Sequence, residues 1–228
     1  MLLDEVVERA PAWAEPRGNR GAAWMSLGTA EEGYGVDPAP NYQRAVDDFT
    51  AAMKLAPGAT WVLNNRGMVL RRAGVNEAAH GRPYAHCFEK SIQDFTESSR
   101  IREEDATTGG NRGQAWAAWA RGEEGEGRDG REKLTKAIAD YGEAIRRDPS
   151  AVGYRHDRAL HLQALGDAEL RRGGDPLPRF EQAVAELEET VRHDPERPGA
   201  HAALGEVRKR IGDSEERGGG DGRERLRE

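Results

Sequence analysis

Arginine recurs at positions 20, 66, 112 and 158, each 46 residues after the last and each in the same short setting. The strings are Asn19-Arg20-Gly21, Asn65-Arg66-Gly67, Asn111-Arg112-Gly113 and the looser Asp157-Arg158-Ala159. A fixed period in this range constrains the fold more than any bulk property. So short a unit cannot bury its own apolar face and must stack on its neighbours.

Rows of 46 bring further columns into register. Eight residues after each arginine come Gly28, Gly74, Ala120 and Gly166, with Gly212 in a fifth row. An acid column (Glu31, Glu77, Glu123, Glu169, Glu215) and a glycine column (Gly35, Gly81, Gly127, Gly173, Gly219) run without exception. One large apolar column holds Tyr42, Phe88, Leu134, Phe180 and Leu226, and a second holds Phe49, Phe95, Tyr141 and Leu187. Between them lie a small column (Ala45, Ser91, Ala137, Ala183), a β-branched one (Val46, Ile92, Ile138, Val184) and a second acid one (Asp48, Asp94, Asp140, Glu186). The row closes on Pro57, Glu103, Pro149 and Pro195.

The spacing within a row is helical. Tyr42, Ala45, Val46, Phe49, Ala52 and Met53 make an apolar stripe along one helix face, and Pro57 ends that helix. An earlier helix in each row is expected from about the Asn-Arg-Gly string to the all-glycine column, where glycine suits a left-handed C-cap. Trp13 and Trp61 then precede their helices, whereas Trp24, Trp116 and Trp119 fall at packing positions. Asp37, Asp129, Asp175 and Asp221, two residues past the glycine column, read as turn or N-cap acids. Strand signals are absent.

These columns resemble the tetratricopeptide repeat family, whose hairpins carry a glycine and an aromatic on helix A and an Ala, Phe, Ala, Pro set on helix B. The glycine of each Asn-Arg-Gly string matches the first glycine, and Trp24, Leu70, Trp116 and Leu162 follow at the aromatic position. Ala45, Phe49, Ala52 and Pro57 match the helix B set in order and spacing. The family period is about 34 residues, so about 12 extra residues separate helix A from helix B here and lengthen both arms. The resemblance implies an all-α, right-handed α-solenoid of stacked antiparallel helix hairpins. Its expected organisation is a single solenoid over 1–228, with repeats at 13–58, 59–104, 105–150 and 151–196. A partial helix B at 1–12 and a partial fifth repeat at 197–228 would flank them, as in a piece of a longer array.

Composition excludes several function classes. The chain is 33% charged with a net charge of −7, and its mean hydropathy is −0.86. An acidic, well-mixed surface argues against a nucleic-acid or anionic-membrane binder. A single cysteine, Cys87, permits no intrachain disulfide, and no apolar run reaches the ~18–20 residues of a membrane span. A cytoplasmic location is the natural expectation.

No motif in the chain points to catalysis or to a cofactor. No phosphate loop, nucleophile elbow or Ser/His/Asp ordering appears. His80, His86 and Cys87 gather in "HGRPYAHCF" without metal-ligand spacing. The arginine ladder (Arg20, Arg66, Arg112, Arg158) is expected to pair with the acids Asp48, Asp94, Asp140 and Glu186, since an unpaired cation beside apolar columns is costly. The glutamate ladder is expected to reach Arg44, Lys90 or Lys136 near the start of helix B.

The family resemblance also implies a ligand groove lined by helix A. Its candidates here are Asn19, Met25, Asn65, Met68, Arg71, Asn111, Gln114, Asp157 and Gln163, which vary between rows while the packing columns do not. The expectation is a non-enzymatic scaffold binding a protein or peptide segment, with no nucleic acid and no membrane as partner. The alternatives are a solenoid that self-associates head to tail through its open terminal half-repeats, and a regulatory array of a larger enzyme.

Overall fold

The computed structural model describes residues 2–103 and 105–217. The sequence readings at Gly219, Asp221 and Leu226 lie outside the described residues. Among those described the chain is all helical, with ten α-helices and no strand. They are α1 (Leu2–Arg9), α2 (Ala14–Gly33), α3 (Ala39–Leu55), α4 (Thr60–Ala79), α5 (Ala85–Ile101), α6 (Ala106–Gly125), α7 (Arg131–Arg147), α8 (Val152–Arg171), α9 (Leu177–His193) and α10 (Ala200–Arg217).

The even-numbered helices α2, α4, α6 and α8 each have 20 residues, and α3, α5, α7 and α9 each have 17. Their lengths are about 30 and 25 Å at ~1.5 Å per residue. Helices α2, α4, α6 and α8 are here termed A helices and α3, α5, α7 and α9 B helices. Short corners fold α2 back on α3, α4 on α5 and α8 on α9. Two compact units result, Met1–Gly122 and Glu123–Glu228, each built from such hairpins.

The corner between A and B helices has one solution throughout. Gly35, Gly81, Gly127 and Gly173 have φ of 72°, 65°, 73° and 76°, a region that side chains rarely enter. At the first corner Val36 N–H donates to Glu31 O at 2.9 Å and Gly35 N–H to Glu32 O at 3.1 Å, the paired bonds of a Schellman motif. The same pair recurs where Arg82 donates to Glu77, Arg128 to Glu123 and Gly174 to Glu169. The glutamate column therefore supplies the carbonyl that closes each corner. Three B helices are then started by an aspartate: Asp37, Asp129 and Asp175 accept the backbone N–H of Ala39, Arg131 and Leu177 at 3.0–3.1 Å.

Aromatic rings from the B helices fill the space left by glycines on the A helices. Tyr42, Phe49, Phe88, Phe95 and Phe180 are fully buried. A Cβ on Gly28 would meet the Tyr42 ring at 2.7 Å, one on Gly67 the Phe95 ring at 2.8 Å, and one on Gly166 the Phe180 ring at 2.6 Å. In the second unit Ala159 and Leu187 share a core cluster at the places that Gly67 and Phe95 occupy in the first. A methyl is gained where a ring is lost, which conserves packed volume.

The start of the A helices corrects the sequence reading. α2 and α4 begin at Ala14 and Thr60, five residues before Asn19 and Asn65, and Trp61 lies inside α4 rather than ahead of it. The usual signal is missing: the N-caps Trp13, Ala59 and Ala151 have no side-chain acceptor. Among the described residues ahead of the A helices, only Asp105, before α6, supplies one, to Thr107 N–H at 2.9 Å.

Candidate functional site: an aromatic cleft beside the arginine ladder

The arginines of the repeated string are built into contacts between helices. Arg20 donates through Nε to Asp48 Oδ2 at 2.8 Å and through Nη2 to Asp48 Oδ1 at 2.6 Å. Arg66 makes the same two bonds to Asp94 at the same distances. The free Nη1 of each turns the other way, to a residue sixteen positions earlier. Arg20 reaches Asp4 at 2.9 Å, Arg66 reaches Thr50 at 3.2 Å and Arg112 reaches Thr96 at 3.3 Å. One guanidinium thus joins a B helix of its own row to the helix before its own. At the fourth copy the earlier position is Gly142, and a Cβ there would stand 3.6 Å from Arg158 Cζ. Arg158 gives Glu186 one bond, at 2.5 Å, and Arg155 takes the other carboxylate oxygen at 3.3 Å.

Burial pushes the Asp94 carboxyl up from the ordinary aspartate value, and the Arg66 guanidinium opposes that shift. Asp94 is only 3% exposed, so the pair is desolvated and its removal from one side would strand a charge.

The glutamate column reaches the next helix one turn earlier than the sequence indicates. Glu31 accepts from Asn41 Nδ2 at 2.7 Å, Glu123 pairs with Lys133 at 3.1 Å and Glu169 with Arg179 at 3.2 Å. Those partners lie ten residues on, not thirteen. The Schellman corner turns the chain tightly enough to set the first turn of the B helix, not the second, beside the glutamate. The equivalent place in the second row is Cys87, and Glu77 instead takes Arg82 in the corner, at 2.7 Å. Arg44 is directed elsewhere: its guanidinium stands 4.8 Å above the Trp24 ring and donates to Asn41 at 3.2 Å. Lys136 pairs within its own helix with Glu132 at 2.7 Å. Cys87 is buried, with Sγ 3.3 Å from His86 Nε2, and burial followed by the Glu77 charge pushes its thiol up to about 11. It is not an activated nucleophile.

The groove candidates diverge. Met25 packs against the core cluster of the first unit, and Gln163 commits its amide to Glu206 at 3.2 Å. Asn65, Met68, Arg71, Asn111, Gln114 and Asp157 are half-buried along their helices. Burial raises the Asp157 carboxyl and, aided by the Arg197 charge, lowers the neighbouring His156. Asn19 is different. It is exposed and lines a cavity of about 570 Å³ with Trp13, Ala14, Glu15 and Trp61. That volume falls within the ~300–1,000 Å³ typical of ligand clefts.

The cleft follows from the stacking of α4 on α2. Trp61, in the first turn of α4, sets the Cη2–Cζ3 edge of its ring against α2 at Gly18. A Cβ at Gly18 would come within 2.2 Å of Trp61 Cη2 and 2.4 Å of Cζ3, so the ring is held by a residue with no side chain. Trp13, the N-cap of α2, is 66% exposed and Trp61 40%. Among the described residues Glu15 has no ion-pair partner, and the Asn19 amide and both indoles have no hydrogen-bond partner. Tryptophan at 13 and 61 falls outside every packing column, which was the available signal. Their convergence with Glu15 and Asn19 was not readable from the sequence.

No family model and no curated protein matches this sequence. Solved structures do match. One is MamA, residue 41 to the end, from Desulfovibrio magneticus RS-1: TM-score 0.52, 19% identity, over 86% of this chain and 84% of that one. A second MamA crystal structure gives 0.51 and 14% identity over 87% and 86% of the two chains. At such identities the likeness is one of fold. The chain has a tetratricopeptide-like, all-α fold.

Proposed function

We propose that the chain is a non-catalytic scaffold that holds a segment of another protein along its A helices, with rows 13–58, 59–104, 105–150 and 151–196 as its repeating units. The observation that carries this reading is the Trp13–Trp61 cleft. Among the described residues four side chains able to hold a ligand converge there with no hydrogen-bond or ion-pair partner, whereas Arg20 and Arg66 are tied to Asp48 and Asp94. Two aromatic rings on a rigid stack supply contact area at small entropic cost, as in other anchor positions of protein interfaces. The direct test is selection of peptides from a displayed random library on the intact protein. Recovered peptides are expected to lose most of their binding to the Trp13→Ala and Asn19→Ala variants. Undiminished binding to both would remove the cleft from the reading.

A self-associating solenoid is the second reading, favoured by one observation. Among the described residues five exposed large apolar side chains, Val6, Trp13, Leu27, Tyr34 and Val36, fall in the first 36 positions, against Leu55, Trp61, Ile101 and Leu160 in all the rest. The exposed face of α10 offers them no apolar match, since it carries Glu206, Arg208, Lys209 and Asp213. Light scattering over a concentration series separates the readings: a constant monomer mass excludes self-association.

A further inference from the structure

We infer that the Trp13–Trp61 cleft takes a cationic side chain, the guanidinium of arginine or the ammonium of lysine, from a bound peptide. This rests on the scaffold reading above and names the chemistry of the group that it would anchor.

The argument begins with charge. Among the described residues Glu15 is the one ionisable residue lining the cleft, and it has no ion-pair partner. Arg17, the nearest arginine in sequence, is engaged by backbone, with Nη1 donating to Pro11 O at 2.8 Å. Glu15 stands in the first turn of α2, where the helix end contributes roughly half a positive charge. A whole negative charge outweighs a half, so the mouth of the cleft stays negative.

The walls favour the same occupant. Indole faces are electron-rich and attract a cation placed over them, most strongly where water is partly excluded. This chain already uses that chemistry internally, with Arg44 seated 4.8 Å from the Trp24 ring centre. The Trp61 ring is fixed against Gly18 before any ligand arrives, so little side-chain entropy is lost on binding. Asn19 adds a carbonyl oxygen that can accept from a guanidinium or ammonium. An anionic side chain would meet Glu15 directly, and an aliphatic one would leave its carboxylate without a partner.

The corresponding places in later rows lack the set. Ala59 stands where Trp13 does in the first row, Thr107 follows where Trp61 does in the second, and Gly153 in the third. Among the described residues only the junction of the first and second rows combines two such tryptophans with a carboxylate.

The test uses the full chain and five capped pentapeptides, Ac-Ala-Gly-X-Gly-Ala-amide, with X as Arg, Lys, trimethyl-lysine, Leu or Glu. Binding is read from the assigned indole N–H signals of Trp13 and Trp61 by NMR. The Arg, Lys and trimethyl-lysine peptides are expected to move both signals, with affinities at least fivefold above Leu and higher still above Glu. Trp13→Ala, an exposed N-cap change, should abolish the Trp61 response, and Glu15→Gln should weaken the Arg peptide about fivefold. Added salt should weaken wild type more than Glu15→Gln. A Leu or Glu peptide that binds as tightly as Arg overturns the cation assignment and leaves the scaffold reading standing, as does an Arg affinity unchanged in Glu15→Gln. Silence of both indoles toward all five peptides, with no library peptide dependent on Trp13, overturns both. Thermal melts of the two variants matching wild type tie any loss to the cleft.

Discussion

Arg66 and Asp94, twenty-eight residues apart, meet through two parallel hydrogen bonds of 2.8 and 2.6 Å with the carboxylate almost wholly shielded from water. Arg20 and Asp48 repeat that geometry to within the same tenth of an ångström. A bidentate pair fixes direction as well as distance, so each arginine sets the rotation of an A helix against its B helix. Its remaining Nη1 sets the stacking on the previous row. Asp94→Ala should destabilise the first unit by about 3–5 kcal/mol, because it leaves a half-buried guanidinium without its counter-charge. The double change Arg66→Met with Asp94→Leu should recover most of that loss in denaturant melts. A loss under about 1 kcal/mol for Asp94→Ala would mean that water screens the pair.

Glycine substitutions should divide by what lies above the α-carbon. Gly67→Ala drives a methyl into the Phe95 ring at 2.8 Å and should cost about 1–3 kcal/mol. Gly205→Ala, on an open face in the middle of α10, meets nothing within 4 Å and should stabilise by about 0.5–1 kcal/mol. Chemical denaturation of the two variants beside wild type checks the opposite signs. Removing the ring itself, Phe95→Ala, should cost about 3–5 kcal/mol.

Acid should loosen the corners through Asp37. Its side chain accepts from Asn76 at 2.9 Å, from Ala39 N–H at 3.1 Å and from Arg82, and these bonds hold its carboxyl down at about 2 against an ordinary 3.8. A depressed folded-state value means that the stabilisation is complete above about 4 and lost as pH falls toward 2. Asp37→Asn keeps an acceptor for Ala39 and should flatten stability across that window. Midpoints of urea unfolding at closely spaced pH values give the comparison. A curve as steep as wild type would place the acid sensitivity at other carboxylates, among them Asp129, which Arg131 holds low in the same way.

The buried thiol gives an independent readout of the second hairpin. With Cys87 pushed up to about 11, its thiolate fraction at pH 8 is about a hundredfold below that of an unhindered cysteine. Iodoacetamide should therefore label the native chain at least that much more slowly than the urea-unfolded one. Similar rates would show that the α5 packing opens readily.

The fold could be read from the chain because the same columns were written four times. Any single Phe or Gly is ambiguous, but Tyr42, Phe88 and Phe180 at one spacing with Gly28, Gly74 and Gly166 at another define a helix pair. The helix starts were hidden because Trp13 and Ala59 give no capping signal and the chain instead relies on stacking to hold the first turn. The glutamates were misjudged by one turn, since the sharpness of the Gly35 corner, not the spacing of charges, decides which residue of the B helix stands opposite. The cleft was hidden for another reason. Trp13 and Trp61 are 48 positions apart, and only the seating of Trp61 on Gly18 brings both to one opening.

The left-handed glycines have a practical corollary. Gly35 and its counterparts fix the direction of the chain, while the residue just before each of them faces solvent, and Tyr34, His80 and Arg172 differ completely there. Position 34, at 86% exposure, is thus a natural mount for a fluorophore or a grafted epitope, one whose orientation would report the hairpin beneath without perturbing it.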